Sequence, residues 1–293
     1  MHRTDALPAS AAALLVTLCV TWGLAQIAVK LGLEGISPMA QVGLRSVIAI
    51  PLLLLWCRWR GVAVWLRDGS LTPGLIAGLL FALEFWTLYE ALARTTAARS
   101  TVLLYMAPFW ATLGAHLLVP GDRLTARKLL GLGLAFAGLI VAFSDRLGAA
   151  LDASMVGDLL ALVSGVCWGA TIVAIKATRL TRIAPERTLL YQLAVGALLL
   201  PLGLALGEPG LFAPTPLVIA ALLFQAAGVA FISYVAWFWL VARHKASVLA
   251  PFLFLTPVFT AIAGAIVLGE PVTWPLLGSL ALVGSGIWVV NRG

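Results

Sequence analysis

The amino-acid sequence predicts an all-α integral membrane protein, with ten transmembrane helices as two inverted five-helix repeats and both termini cytoplasmic. Three observations lead there. The 293 residues are 62% hydrophobic and only 11% charged, with a mean hydropathy of +1.05. A soluble domain of this length carries about a quarter charged residues. The apolar residues gather into ten runs of membrane-crossing length, and the basic residues alternate in density from one side of those runs to the other. A chain this apolar cannot cover its surface with polar groups in water, so lipid is the expected solvent for much of it.

A hydrocarbon core about 30 Å thick needs roughly 20 apolar helical residues. That ruler places spans at 9–29, 38–57, 73–93, 100–119, 127–144, 155–177, 187–206, 216–241, 247–268 and 273–290. The first run, Ala9 to Val29, is too long for the apolar part of a signal peptide, and no small-residue cleavage site follows it, so it reads as a retained span. Pro38, Pro73 and Pro216 lie at span starts, where a missing N–H costs little. The connections are short and leave no room for a soluble domain.

With the N-terminus inside, fourteen Lys and Arg fall on the cytoplasmic side. Four (Lys30, Arg94, Arg99 and Arg146) fall on the other, and Arg45 lies within span 2. This is the positive-inside bias. The outer connections lean acidic, with Asp145, Asp152, Asp158, Glu208 and Glu270. The net charge of +7 and pI near 9.8 therefore need no nucleic-acid partner. Cys19, Cys57 and Cys167 lack metal-ligand spacing and read as reduced packing residues.

Span 1 reads C-V-T-W-G-L-A-Q-I-A-V-K to Lys30, and span 6 reads G-V-C-W-G-A-T-I-V-A-I-K to Lys176. At an offset of 146, Trp22-Gly23 matches Trp168-Gly169, Ala28 matches Ala174, and Lys30 matches Lys176. Ala93-Arg94 and Pro108 match Ala242-Arg243 and Pro257 at 149, and Leu129-Leu130-Gly131 matches Leu276-Leu277-Gly278. An odd number of spans per half inserts the second copy upside down. The repeats run over 9–144 and 155–291.

On these residues the chain resembles the EamA-type members of the drug/metabolite transporter superfamily. The resemblance rests on the W-G of spans 1 and 6, the lysine that follows each, the A-P-F and T-P-V prolines of spans 4 and 9, and Gly269-Glu270-Pro271. The first half departs at the last of these, reading Pro120-Gly121-Asp122. Within the superfamily it looks most like the bacterial exporters of aromatic and other neutral amino acids, the YddG type. The resemblance implies a central cavity lined by spans 1–4 and 6–9, a small-molecule substrate, no cofactor, and residence in the bacterial cytoplasmic (inner) membrane. A monomer is compatible with it.

The polar groups at membrane depth are unevenly placed. Span 4 sets Thr101, Tyr105, Pro108, Thr112 and His116 at spacings of 4, 3, 4 and 4, one face of a helix. That face either lines a cavity, with Pro108 opening backbone carbonyls, or is a proline kink whose hydroxyls satisfy neighbouring helices. Span 1 offers Trp22 and Gln26, and span 6 offers Ser164, Trp168 and Thr171. Tryptophans at mid-depth are no interfacial belt. They either stack on a ligand or serve close packing beside their glycines. Trp86, Tyr89, Trp110, Tyr234 and Trp237 add aromatics at that depth. Gln41, Gln192 and Gln225 are further polar candidates.

Arg45 and Glu84 lie roughly 10–14 Å below the outer surface at 1.5 Å per residue. An isolated charge there is costly, so each should face protein or water and find a partner. They either pair with each other or share an outer vestibule, where Glu84 could hold an ammonium or a coupling proton and Arg45 a carboxylate. Glu84 and His116 are the titratable groups that could carry a proton. Lys30 and Lys176 either snorkel to opposite interfaces or support paired gates.

These readings point to a secondary transporter exporting small metabolites, amino acids first, by alternating access. The alternatives are export of other metabolites or drugs, or a channel-like facilitator. The sequence holds no HExxH, GxSxG or GxxxxGK[ST] motif, so no enzyme is expected.

Overall fold

The computed structural model describes residues 8–64, 68–119, 124–144, 152–244, 249 and 252–291. Of the residues weighed above, Arg3, Arg67, Arg123, Arg146, Lys245, Arg292, Asp145 and the Pro120-Gly121-Asp122 stretch lie outside those described. Everything regular in the described residues is helical, apart from isolated bridges such as the antiparallel one between Ile36 and Leu211.

The first half comprises α1 (Ala9–Gly32), α2 (Pro38–Arg60), α3 (Leu71–Leu92), α4 (Ala97–Leu104), α5 (Ala107–Leu118) and α6 (Ala126–Ala142). The second comprises α7 (Ala153–Ala177), a 3₁₀ turn (Arg179–Arg182), α8 (Pro185–Ala197) and α9 (Leu199–Ala205). It continues through α10 (Pro216–Leu223), a π-helix (Phe224–Ser233), α11 (Tyr234–Arg243), α12 (Leu255–Leu268) and α13 (Trp274–Asn291). Seven continuous stretches are long and apolar enough to cross a membrane: 9–32, 38–60, 71–92, 97–118, 153–177, 185–205 and 216–243. Leu255–Leu268 and Trp274–Val289 are shorter apolar helices. The protein is thus an all-helical, multi-pass membrane protein.

Local chemistry sets the ends. Pro38, Pro185 and Pro216 open α2, α8 and α10. Thr96, Thr125, Asp152 and Thr215 accept from Arg99 N, Lys128 N, Met155 N and Val218 N, closing first turns. Pro73 sits in the first turn of α3, where no intrahelical donor is lost.

Two stretches are interrupted where proline removes a donor. Pro108 cannot bond the Leu104 carbonyl, and the chain turns tightly through Met106 N to Leu103 O at 3.1 Å before α5 begins. Pro201 lies just past the α8–α9 junction at Leu198. The third irregularity is the ten-residue π-helix between α10 and α11, a wide turn that is uncommon and recurs at functional sites.

Close packing follows the small residues. A Cβ on Gly23 would stand 2.9 Å from Phe259 Cβ, seating α1 on α12, and one on Gly169 would stand 2.6 Å from Trp110 Cβ, seating α7 on α5. The largest core cluster gathers Tyr89, Tyr105, Leu88 and Leu92, with Phe85, Trp86 and Trp168 against it. Leu75, Ile76, Leu79, Leu117 and Ile266 stay exposed, as a lipid-facing surface requires. Cys19 and Cys57 are buried and Cys167 half-buried, all three as free thiols.

Candidate functional site

A buried polar chain crosses α1, α2, α3 and the π-helix. Gln41 Nε2 donates to Val29 O at 3.3 Å and to Gln225 Oε1 at 3.2 Å. Tyr89 Oη donates to the same Gln225 Oε1 at 2.9 Å, and Gln225 Nε2 donates to Ala28 O at 3.1 Å. Arg45 Nη1 ends the chain by donating to Tyr89 Oη at 3.1 Å. Gln41, Arg45, Tyr89 and Gln225 are all buried. Gly32 makes room, since a side chain there would collide with the Gln41 amide. The π-turn carries Gln225 into this chain.

Arg45 stacks on aromatic faces. Its Cζ lies 3.7 Å from the Phe85 ring centroid, with Tyr89 and Phe81 at 5.6 and 5.7 Å. Its Nε and Nη2 have no hydrogen-bond partner among the described residues. Glu84 is buried one residue before Phe85, yet no ion pair joins it to Arg45 among the described residues. Its carbonyl accepts from Ser164 Oγ at 2.8 Å, locking α7 onto α3. Arg45 lies within electrostatic range of Glu84 and Tyr234. Direct pairing of Arg45 with Glu84, one of the two arrangements expected from sequence, is therefore not what forms. Stacking and Tyr89 hold the guanidinium instead.

Two pairs of the aromatic candidates meet each other edge to face. Trp22 meets Trp237 at 5.7 Å and 74°, while Trp22 Nε1 donates to Ser233 Oγ at 2.9 Å. Trp168 meets Tyr105 at 5.3 Å and 79°. Tyr234 meets Phe238 at 6.2 Å. Gln26 is 8% exposed, and its Oε1 finds no partner. Thr101, Thr112 and Thr171 return their hydroxyls to Ala97 O, Pro108 O and Cys167 O of their own helices, a common way to satisfy a hydroxyl without a neighbour.

The expected single face of span 4 needs correcting. The break at Tyr105–Met106 divides it: Thr101 is buried on α4 and Tyr105 at its C-cap, and Pro108 and Thr112 are half-buried on α5. His116 is exposed in the last turn, its Nδ1 accepting from Leu124 N at 3.4 Å. It does not stand at depth with Glu84.

Lys30 reaches across to the second half. Its Nζ pairs with Glu270 Oε1 at 3.1 Å and donates to Thr95 O at 2.7 Å. Ala97 N donates to both Glu270 oxygens at 3.0 and 2.9 Å, so the same carboxylate caps α4. At the same end Glu208 receives Met39 N at 3.1 Å and Ala40 N at 3.4 Å, capping α2. Arg99 grips Asp158 through Nε at 3.1 Å and Nη2 at 2.6 Å, and Thr95 Oγ1 donates to Asp158 at 2.7 Å. This end is tied across the two halves. Glu208, Asp158 and Glu270 were visible only as acidic outer connections; their partners lie far away in sequence. Lys176 is exposed at the end of α7.

At the other end, Arg187 donates from Nη1 to Asp68 at 2.6 Å and from Nη2 to Ser70 Oγ at 3.1 Å. Ser70 and Tyr191 share a 3.0 Å hydrogen bond. Arg187, aided by Ser70, holds the Asp68 carboxyl well below the usual carboxylate range.

An all-helical bundle with charges and aromatics gathered inside it is the build of a membrane transporter. The chain belongs to the EamA-like transporter family, whose sequence model matches residues 9–144 and again 155–292. A curated relative from Archaeoglobus fulgidus, described as an uncharacterized transporter, is 28% identical over 95% of this chain and 96% of its own. One from Salmonella typhimurium, described as a probable amino-acid metabolite efflux pump, is 27% identical over 94% of this chain and 93% of its own. A solved crystal structure covers 96% of both chains with a TM-score of 0.69 at 21% identity, a likeness of fold.

Proposed function

We propose that this protein exports small metabolites, amino acids first among them, across the bacterial cytoplasmic membrane by alternating access. The observation that carries the reading is a guanidinium and a carboxyl, Arg45 and Glu84, both buried near each other yet not bonded to one another among the described residues. Ionisable groups left without a partner at depth are costly, and a zwitterion offers both of them one. Trp22, Gln26, Tyr105, Pro108, Thr112, Trp168, Thr171, Tyr234 and Trp237 are the further lining residues in this reading, and Glu84 rather than His116 is its proton carrier. The name of the Salmonella relative agrees with the substrate class.

The reading includes ten spans, two inverted repeats over 9–144 and 155–291, and cytoplasmic termini. The reciprocal seating of Gly23 on α12 and Gly169 on α5 supports it, because each half then lends its fourth span to the other's first. Lys30 and Glu270 act as the outer gate, and Lys176 serves the inner side.

Counterflow in liposomes tests this reading. Labelled amino acid should enter faster when unlabelled amino acid fills the lumen, with and without a pH gradient. Equal uptake regardless of lumenal substrate would favour a channel-like facilitator, and no amino acid flux would remove the substrate class.

A further inference from the structure

We propose that the Nε/Nη2 edge of Arg45 is the anchor for a substrate carboxylate, so that cargo must carry a free carboxylate group. The inference rests on the transport reading above and deepens it.

A guanidinium presents five N–H groups in a rigid plane, and its Nε and Nη2 donors point the same way along one edge. In this chain Arg99 shows what that edge does when filled: Nε and Nη2 together grip the Asp158 carboxylate. Arg45 keeps the same edge without a partner while 3% exposed. The rest of the group is already committed. Phe85 covers one face at 3.7 Å, and Tyr89 takes Nη1.

Tyr89 is itself fixed by Gln225, and Gln225 by Ala28 O and Gln41. Four elements thus hold the guanidinium in one pose, with its bidentate edge unbonded among the described residues. A side chain present merely to cross-link helices would be expected to spend that edge, because leaving buried donors unmade forfeits their hydration for nothing. The planar two-oxygen match of a carboxylate fits it best. Glu84, nearby and not bonded to Arg45, suits the ammonium of the same molecule.

The test uses full-length protein in nanodiscs, with tryptophan fluorescence as the binding signal. Four aromatic probes differ only at the charged ends: L-phenylalanine, 3-phenylpropanoate, phenylalanine methyl ester and phenethylamine. Chloride is titrated as an inorganic anion. We expect the two carboxylates to bind at least about tenfold tighter than the ester and the amine, the value of one charge-assisted contact. Arg45→Gln should abolish that preference and Arg45→Lys should keep part of it.

Equal binding of acid, ester and amine to the wild-type protein would overturn the proposal, and this comparison needs no variant to fold. So would no carboxylate binding at all, or chloride binding at Arg45 as tightly as the carboxylates do. Amino acid flux indifferent to Arg45 would sink the anchor and leave the transport reading standing. Arg45-dependent carboxylate binding without flux would do the reverse.

Discussion

Lys30 Nζ and Glu270 Oε1 stand 3.1 Å apart, and the carboxylate of that pair also receives the first free backbone N–H of α4 at Ala97. One acidic side chain therefore closes a helix end and holds the last turn of α1. The two duties can be separated. Lys30→Met removes the pair and the bond to Thr95 O but leaves the α4 cap, and should cost about 1–2 kcal/mol, whereas Glu270→Ala also uncaps α4 and should cost about 2–3 kcal/mol. Thermal unfolding of the purified protein checks the order. The charge-swapped double variant should not recover stability, because a lysine at 270 would set an ammonium against an N–H that needs an acceptor.

Asp68 gives a pH dependence with a definite sign. Its carboxyl is held below the ordinary value by Arg187 and Ser70, so its stabilising contribution is present above the unfolded value of about 3.9 and is lost as pH falls through the lower folded value. The melting difference between the wild-type protein and Asp68→Asn should stay constant from pH 8 to about 5 and shrink below about 4. A difference that shrinks between pH 7 and 6 would mean another group is responsible.

Gly23 and Gly169 test the seating of the spans. Gly23→Ala places a methyl 2.9 Å from Phe259 Cβ, and Gly169→Ala one 2.6 Å from Trp110 Cβ. Overpacking of this kind costs about 1–3 kcal/mol. Both variants should melt earlier, Gly169→Ala more so, and both should slow flux in liposomes.

Glu84 and His116 are told apart by their surroundings. If a pH gradient drives export, Glu84→Gln should abolish the gradient's effect while His116→Asn leaves it intact, because Glu84 is buried beside Arg45 and His116 is exposed in the last turn of α5. Flux measured with and without an imposed gradient decides it.

The helix ends were largely legible in the sequence because they depend on local features: run length, proline at first positions, and threonine or aspartate caps. The observed starts of α2, α6 and α7 fall within two residues of expectation. The expected start of span 9 at 247 lies outside the described residues, as do 245–248 and 250–251; residues 249 and 252–253 are helical, and α12 follows a turn at Phe254. The α4–α5 break was half legible. Pro108 announced a kink, but the displacement of Thr112 and His116 from the buried face depends on how the chain turns at Met106. Partners were not legible. Nothing near Lys30 in sequence names Glu270, and nothing near Arg45 says that Phe85 would meet its face and Tyr89 one of its nitrogens. Those depend on which helices become neighbours, and hydropathy is blind to that.

Ser37, at the start of α2, makes no side-chain bond to the helix it precedes. The acceptor for Met39 N is Glu208, 169 residues further on. During synthesis the first half therefore enters the bilayer with the head of α2 unfinished, and it stays so until the connection after α9 has been made. The Glu270 support for α4 comes later still. A ribosome stalled after residue 144 would leave α2 and α4 without either carboxylate, and a split gene would have to deliver the second fragment to steady the first.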